Sequence, residues 1–203
     1  QLSQELVDQY LALFDQYFLE QQGKKGKKRL SANSVKVLAI CSKINDELRQ
    51  EQKILVLLKL FEFINYNESI SEYELEFVKT VAETFNIPAL EYENCKALIL
   101  EKPDKIPYKE HLLIIDHNSE NTIPGAKHIF NHNLNGQLVI LHVESTNMYA
   151  FGYIGDETLY LNGQLIYPKR VYILVKGSTI RSPKLAPIYY SDVVASFLST
   201  KQS

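Results

Sequence analysis

The sequence contains no tryptophan, one methionine and only two cysteines in 203 residues. Two cysteines cannot build the disulfide framework that staples small secreted domains. Cys41 and Cys95 both fall on apolar faces of expected helices, where a cysteine acts as a small buried hydrophobe. Long apolar runs are also missing. The longest candidate, residues 54–64, is broken by Lys59 and Glu62 and falls short of the ~20 residues that a membrane-spanning helix needs. With no secretory signal either, a reducing cytoplasmic setting is expected, without direct bilayer insertion. The chain starts at Gln1 with no initiator methionine, so a fragment or a processed product is expected.

A dominant sign of charge is absent too. The net charge is −2. Residues 1–104 carry 13 Lys/Arg against 17 Asp/Glu, and residues 105–203 carry 9 against 7. Neither half has the excess of cations that attracts nucleic acid, so no nucleic-acid partner is expected. Hydrophobic residues at 45% and charged residues at 23% are ordinary for a folded chain and argue against disorder.

What is present changes period near residue 101. Before it the pattern is helical. Residues 3–21, with Ser3 as cap, place Leu6, Tyr10, Leu13, Phe14, Tyr17 and Phe18 on one stripe. Residues 23–29 hold two glycines and five cations and read as an exposed loop. A second helix over 31–48 uses Val35, Leu38, Cys41, Ile44 and Leu48. A third over 51–64 uses Ile54, Leu57, Leu58, Phe61 and Ile64. Ser71 followed by Glu74 is a capping box that opens a fourth helix, since each side chain can satisfy a free backbone N–H. Asn86 ends that helix, and Pro88 opens a fifth through 99. Residues 102–107 carry two prolines and read as a linker.

From 108 onward the runs are short and apolar. Expected strands are 111–116, 127–130, 138–143, 148–153, 157–161, 164–166, 170–176 and 179–181, followed by a helix over 191–198. Asn135-Gly136 and Asn162-Gly163 both read as two-residue hairpin turns, because type I′ geometry needs positive φ at both central positions. The expected fold class is α+β: an all-helical domain over 1–101, then a small β-sandwich over 108–203 with a C-terminal helix.

Convergent chemistry is hard to find. Gly26-Lys27 is no phosphate-binding loop, because Gln21 stands where the first glycine belongs and Lys28 where Ser or Thr belongs. Asn65, Asn67, Ser69 and Glu76 match positions 1, 3, 5 and 12 of a calcium loop. Ile70 replaces the turn glycine, though, and Glu76 would be the only charged ligand, too little for a hard cation. His128 and His132 lie in strand and turn, so their four-residue spacing does not put them on one face, and no metal ligand set is expected. Asp116, His117 and Ser119 are too close along one strand to converge as a triad. No Gly-x-Ser-x-Gly elbow exists. No catalytic residue and no cofactor are expected.

Three resemblances sharpen this reading. The segment from Leu55 to Ile87, with Ile70, Ser71 and Glu74 at a capped helix start, resembles the tellurite-resistance TerB-like helical domain; Asn65-Tyr66 stands where that family has Asp-Gly. Residues 158–166 (TLYLNGQLI) with 177–181 (GSTIR) are similar to the closing half of forkhead-associated β-sandwich domains, without that family's upstream Gly-Arg and Ser-x-x-His elements. From residues 2–8 (LSQELVD) through 23–36 (GKKGKKRLSANSVK) to 188–192 (IYYSD), the chain as a whole looks like the N-terminal region of large ABC transporter ATP-binding proteins of Bacteroidetes. These resemblances imply a non-catalytic cytoplasmic accessory module, peripheral to the inner membrane through its parent transporter. Its partner would be a protein: the ATPase cassette or the transporter assembly.

Rigid scaffolds place recognition on loops, so Asn162, Ser178, Thr179 and Arg181 are the candidate partner-binding residues. Asn162 and Gly177 equally suit plain turns. Two rival readings remain at this point. One is an independent TerB-like stress-response or metal-sensing protein. The other is a small hydrolase with its site between the domains.

Overall fold

A computed structural model describes residues 4–22, 29–66 and 68–199 of the chain. The Ser3 cap, the loop at 23–28 and Asn67 therefore lie outside the described residues. The chain divides into two compact units, Gln1–Tyr92 and Glu93–Ser203. It is α+β: among the described residues five helices are followed by two sheets and a last helix. Among the described residues no helix is long and apolar enough to cross a membrane.

The first unit holds α1 (Gln4–Gln22), α2 (Arg29–Glu47), α3 (Gln50–Asn65), α4 (Glu72–Thr84) and the start of α5 (Ala89–Leu100). α3 is the central helix. Ile54, Val56, Leu57, Leu58, Leu60, Phe61 and Ile64 are all buried, more than one stripe supplies, so neighbours cover it on several sides. α4 opens on the expected capping box. The Ser71 N–H donates to Glu74 Oε2 at 2.8 Å, and the Glu74 N–H donates to Ser71 Oγ at 3.2 Å. Asn86 at φ 55° ends α4. The Ile87 N–H reaches Ala82 O and the Asn86 N–H reaches Glu83 O, the two bonds of a Schellman motif.

Two helix faces differ from expectation. In α2 the buried stripe is Val37, Cys41, Ile44 and Leu48, while Val35 and Leu38 face solvent. In α1 it is Val7, Tyr10, Phe14 and Tyr17, with Leu13 exposed. Steps of four and three residues hold a stripe in place, whereas repeated steps of three, as in 35–38–41, drift about 60° each around a helix of 3.6 residues per turn.

Among its described residues the second unit holds nine strands. β1 (Leu112–Asp116), β2 (Lys127–Phe130), β3 (Gln137–Val143), β4 (Met148–Ile154) and β7 (Val171–Leu174) form a five-stranded sheet in the order β2-β1-β3-β4-β7. β5 (Tyr160–Leu161), β6 (Gln164–Leu165), β8 (Thr179–Arg181) and β9 (Ile188–Tyr189) form a four-stranded sheet in the order β6-β5-β8-β9. One apolar cluster joins both sheets to α6 (Tyr190–Leu198), through residues such as Phe151, Tyr153, Ile180, Val193 and Phe197. A second cluster, containing Ala97, Ile106, Leu112, Ile114 and Val139, covers the other face of the five-stranded sheet. That double cover explains the apolar run from Leu112 to Ile115 in β1, every residue of which is buried.

The Asn135-Gly136 hairpin is corrected. β2 pairs parallel to β1, and β3 pairs antiparallel to the other side of β1. Residues 131–136 are therefore a connection across β1, and only Gly136 has positive φ, at 107°. Asn162-Gly163 does turn a hairpin, with φ 52° and 83° between the antiparallel β5 and β6. β9, absent from the expected strands, pairs with β8. Ile106, inside the 102–107 segment, is fully buried within the second unit.

Candidate interaction surface

The four-stranded sheet is built from alternation. Ile180 and Ile188 point into the core, and Leu161 packs against it. Successive side chains on a strand point to opposite faces, so their neighbours point out. Cross-strand register then sets the outward neighbours. Tyr160 stands opposite Leu165 on one side and Arg181 on the other, and Thr179 stands opposite Tyr189. Directly opposed side chains sit about 5 Å apart at Cβ, so these five form one contiguous patch.

The hairpin extends the patch by one pair. The Ile166 N–H donates to Leu159 O at 2.9 Å, and Tyr167 follows in the turn, its N–H donating to Tyr172 Oη at 2.7 Å. The Tyr167 ring lies under the Arg170 guanidinium, 5.6 Å from the centroid, within cation–π range. Exposures of 37% for Tyr160, 39% for Leu165, 53% for Tyr167 and 44% for Tyr189 leave three tyrosines, a leucine and two arginines facing solvent on this small sheet and the turn that follows β6.

The four residues singled out by sequence divide between this face and its supports. Thr179 and Arg181 lie on it. Asn162 braces it from the hairpin turn: the Thr179 N–H donates to Asn162 Oδ1 at 2.9 Å, and the Asn162 N–H donates to Thr179 O at 3.0 Å. Ser178 is buried, its Oγ accepting the Val175 N–H at 2.9 Å and its carbonyl the Tyr190 N–H at 3.0 Å. Tyr160, Leu165, Tyr167, Arg170 and Tyr189 were not singled out. Their signal was the run of bulky residues at 159–161 and 165–167, which separates into inward and outward side chains only once the partner strands are known.

The remaining polar clusters are tied into the scaffold. Asp116, 2% exposed, accepts hydrogen bonds from His128 Nε2 at 2.9 Å, from Gln137 Nε2 at 3.0 Å, and from the Asn118 backbone and side chain at 3.0 and 3.1 Å. Burial alone pushes this carboxyl up, but the hydrogen bonds from His128, Gln137 and Asn118 outweigh it and hold the group below its ordinary value. An ionised carboxylate only accepts, so His128 Nε2 carries the proton. The network pins β2 and β3 to the end of β1. His117 and Ser119 are exposed and form no constellation with Asp116.

His142 stacks on Tyr149 at 4.7 Å, and its Nε2 bonds Asn147 Oδ1 at 3.0 Å. Cys41 and Cys95 are buried and not joined in a disulfide, and burial raises the Cys41 thiol against a hydrogen bond with Thr84. In the 65–76 segment Ser71 and Glu74 are engaged with each other as a helix cap. Among the described residues no group of three or more His, Cys, Asp or Glu is placed to hold a metal ion.

Comparison with protein-family models, with curated proteins and with solved structures finds no match for this chain.

Proposed function

We propose that the chain is a non-catalytic accessory module that works by protein–protein contact. In this reading it is the cytoplasmic, TerB-like and forkhead-associated-like region of an ABC transporter ATP-binding protein, and its partner is the ATPase cassette or the transporter assembly. The sequence resemblances support the family. The observation that carries the contact role is the outward face of the four-stranded sheet. Tyr and Arg are the residues that dominate binding energy at protein interfaces, and here Tyr160, Tyr189 and Arg181 share one face with Leu165, while Tyr167 and Arg170 stand together in the turn that follows β6.

The polar residues of the scaffold support the same reading. Asn94 is buried and uses its amide twice on Tyr108, donating to the carbonyl at 3.1 Å and accepting the N–H at 3.0 Å. Asp116, Asn162 and Ser178 are likewise occupied in holding backbone and strand ends. Side chains locked in this way make a rigid platform, which lowers the entropy cost of binding.

The test is capture of the separately prepared ATPase cassette of the parent protein by the immobilised chain. Tyr160→Ser with Tyr189→Ser should weaken capture about tenfold or more, as loss of two aromatic anchors does at other interfaces. Capture unchanged by that variant would remove this face from the reading. A full reading frame without a downstream Gly-x-x-x-x-Gly-Lys-Ser/Thr would remove the transporter assignment.

A further inference from the structure

The four-stranded sheet lies in a stretch of one charge sign. Residues 158–191 contain Lys169, Arg170, Lys176, Arg181 and Lys184 and no Asp or Glu, in a chain whose net charge is −2. All five cations are exposed. Among the described residues none of them forms an ion pair. The nearest acids in sequence, Glu157 and Asp192, are themselves engaged: Glu157 accepts the Asn135 N–H, and Asp192 caps α6 by accepting the Tyr189 N–H. The chain's acids therefore leave this surface unneutralised.

A planar guanidinium matches a carboxylate with two parallel hydrogen bonds, and it keeps its charge at any physiological pH. Arg181 stands opposite Tyr160 and two residues along β8 from Thr179, which pairs with Tyr189. Arg170 presents a second one over the Tyr167 ring. Between and beside them Tyr160, Leu165 and Tyr189 offer apolar area. The complement of such a face has carboxylates interspersed with apolar side chains.

We propose that the outward face of the four-stranded sheet binds an acidic polypeptide segment, with its carboxylates on Arg181 and Arg170 and its apolar side chains against Tyr160, Leu165 and Tyr189. This rests on the reading of that face as a protein-contact surface, and it names the class of partner. A protein segment fits better than a nucleic acid. A continuous polyanion needs a longer row of cations than this patch offers, and residues 105–203 carry only 9 Lys/Arg against 7 Asp/Glu. A short acidic segment meets only the local patch.

The experiment is fluorescence anisotropy with the whole chain and three labelled probes: a 12-residue peptide alternating Glu and Leu, the same peptide with Gln for Glu, and a 12-nucleotide oligothymidine. The Glu peptide should bind about tenfold tighter than the Gln peptide, and raising sodium chloride from 50 to 300 mM should weaken it several-fold. Arg181→Ala and Arg170→Ala should each weaken the Glu peptide about fivefold or more, Arg181→Lys should fall between, and Lys79→Ala on α4 should change nothing.

Each variant's melting temperature is measured, so that loss of fold is told apart from loss of contact. Equal affinity for the two peptides, arginine variants that bind as wild type, or no binding by the Glu peptide would overturn the proposal. Tighter oligothymidine binding would overturn it in favour of nucleic acid. If Tyr160→Ser weakens peptide binding while the arginine variants do not, the contact surface stands and the acidic class falls. If Tyr160→Ser also binds both peptides as wild type does, the contact surface itself falls.

Discussion

Asn162 and Thr179 hold each other by a reciprocal pair of contacts: the Thr179 N–H donates to the Asn162 side-chain carbonyl at 2.9 Å, and the Asn162 N–H donates to the Thr179 carbonyl at 3.0 Å. Asn162 does this from a left-handed backbone, at φ 52°, a conformation that Asn and Gly tolerate better than other residues. Asn162→Ala loses the side-chain bond and meets the left-handed penalty together, and should cost about 2 kcal/mol in denaturant unfolding. Asn162→Gly keeps the backbone conformation and should cost about 1 kcal/mol. Equal costs for the two variants would show that the backbone conformation contributes nothing.

The same pair explains why sequence reasoning found only part of the surface. A hairpin turn is a local event, and Asn162-Gly163 declares it. The cap at Ser71 and Glu74 and the helix end at Asn86 are equally local, so they too were legible. Whether Tyr160 or Leu161 faces water depends on which strands lie beside β5, and those partners come from residues 164–165 and 179–181. β9 is two residues long and exists only through its pairing with β8. Asn135-Gly136 misled for the same reason. The dipeptide permits a type I′ turn, but parallel pairing of β2 with β1 takes the chain elsewhere. Val35 and Leu38 misled by spacing alone, because they share a loose period with Cys41.

The Asp116 network should make the second unit acid-sensitive. Hydrogen bonds hold the folded carboxyl below its ordinary value, and an unfolded aspartate titrates near 3.9. The stabilisation is therefore complete above about pH 4 and is lost as pH falls through the lower folded value. Asp116→Asn removes charge-assisted bonds from a buried site and should cost about 2 kcal/mol at pH 7. Its stability deficit relative to wild type should shrink as pH falls below about 4. A deficit that stays constant from pH 7 to pH 3 would contradict the ionised network.

Two glycines with positive φ should respond differently to the same change. Gly136 has φ 107°, and a Cβ there would lie 2.5 Å from the Ile154 carbonyl oxygen and 2.9 Å from Gly155 Cα. Both obstacles are backbone, which cannot swing aside as a side-chain tip can. Gly177 has φ 88° and nothing within 4 Å of the same position. Gly177→Ala should cost about 1–2 kcal/mol from backbone conformation alone. Gly136→Ala adds overpacking and should cost about 2 kcal/mol more than that, or prevent folding of the second unit. Thermal melts of the two variants side by side give the comparison, and similar melting temperatures would refute it.

Lys169 offers the opposite case, a residue that the fold would exchange with gain. It follows Pro168 in the turn leading to β7 and sits at φ 63°. Proline followed by a residue of positive φ is the pattern of a type II turn, where glycine is preferred at the second position. A lysine there bears a left-handed cost of about 1–2 kcal/mol, partly offset because glycine loses more chain entropy on folding. Lys169→Gly should therefore stabilise the second unit by about 0.5–1 kcal/mol in denaturant unfolding. Because Arg170 and Tyr167 stay in place, the variant should keep most of its affinity for the acidic peptide. A destabilised Lys169→Gly protein would mean that the lysine side chain makes a contact worth more than the strain of its backbone.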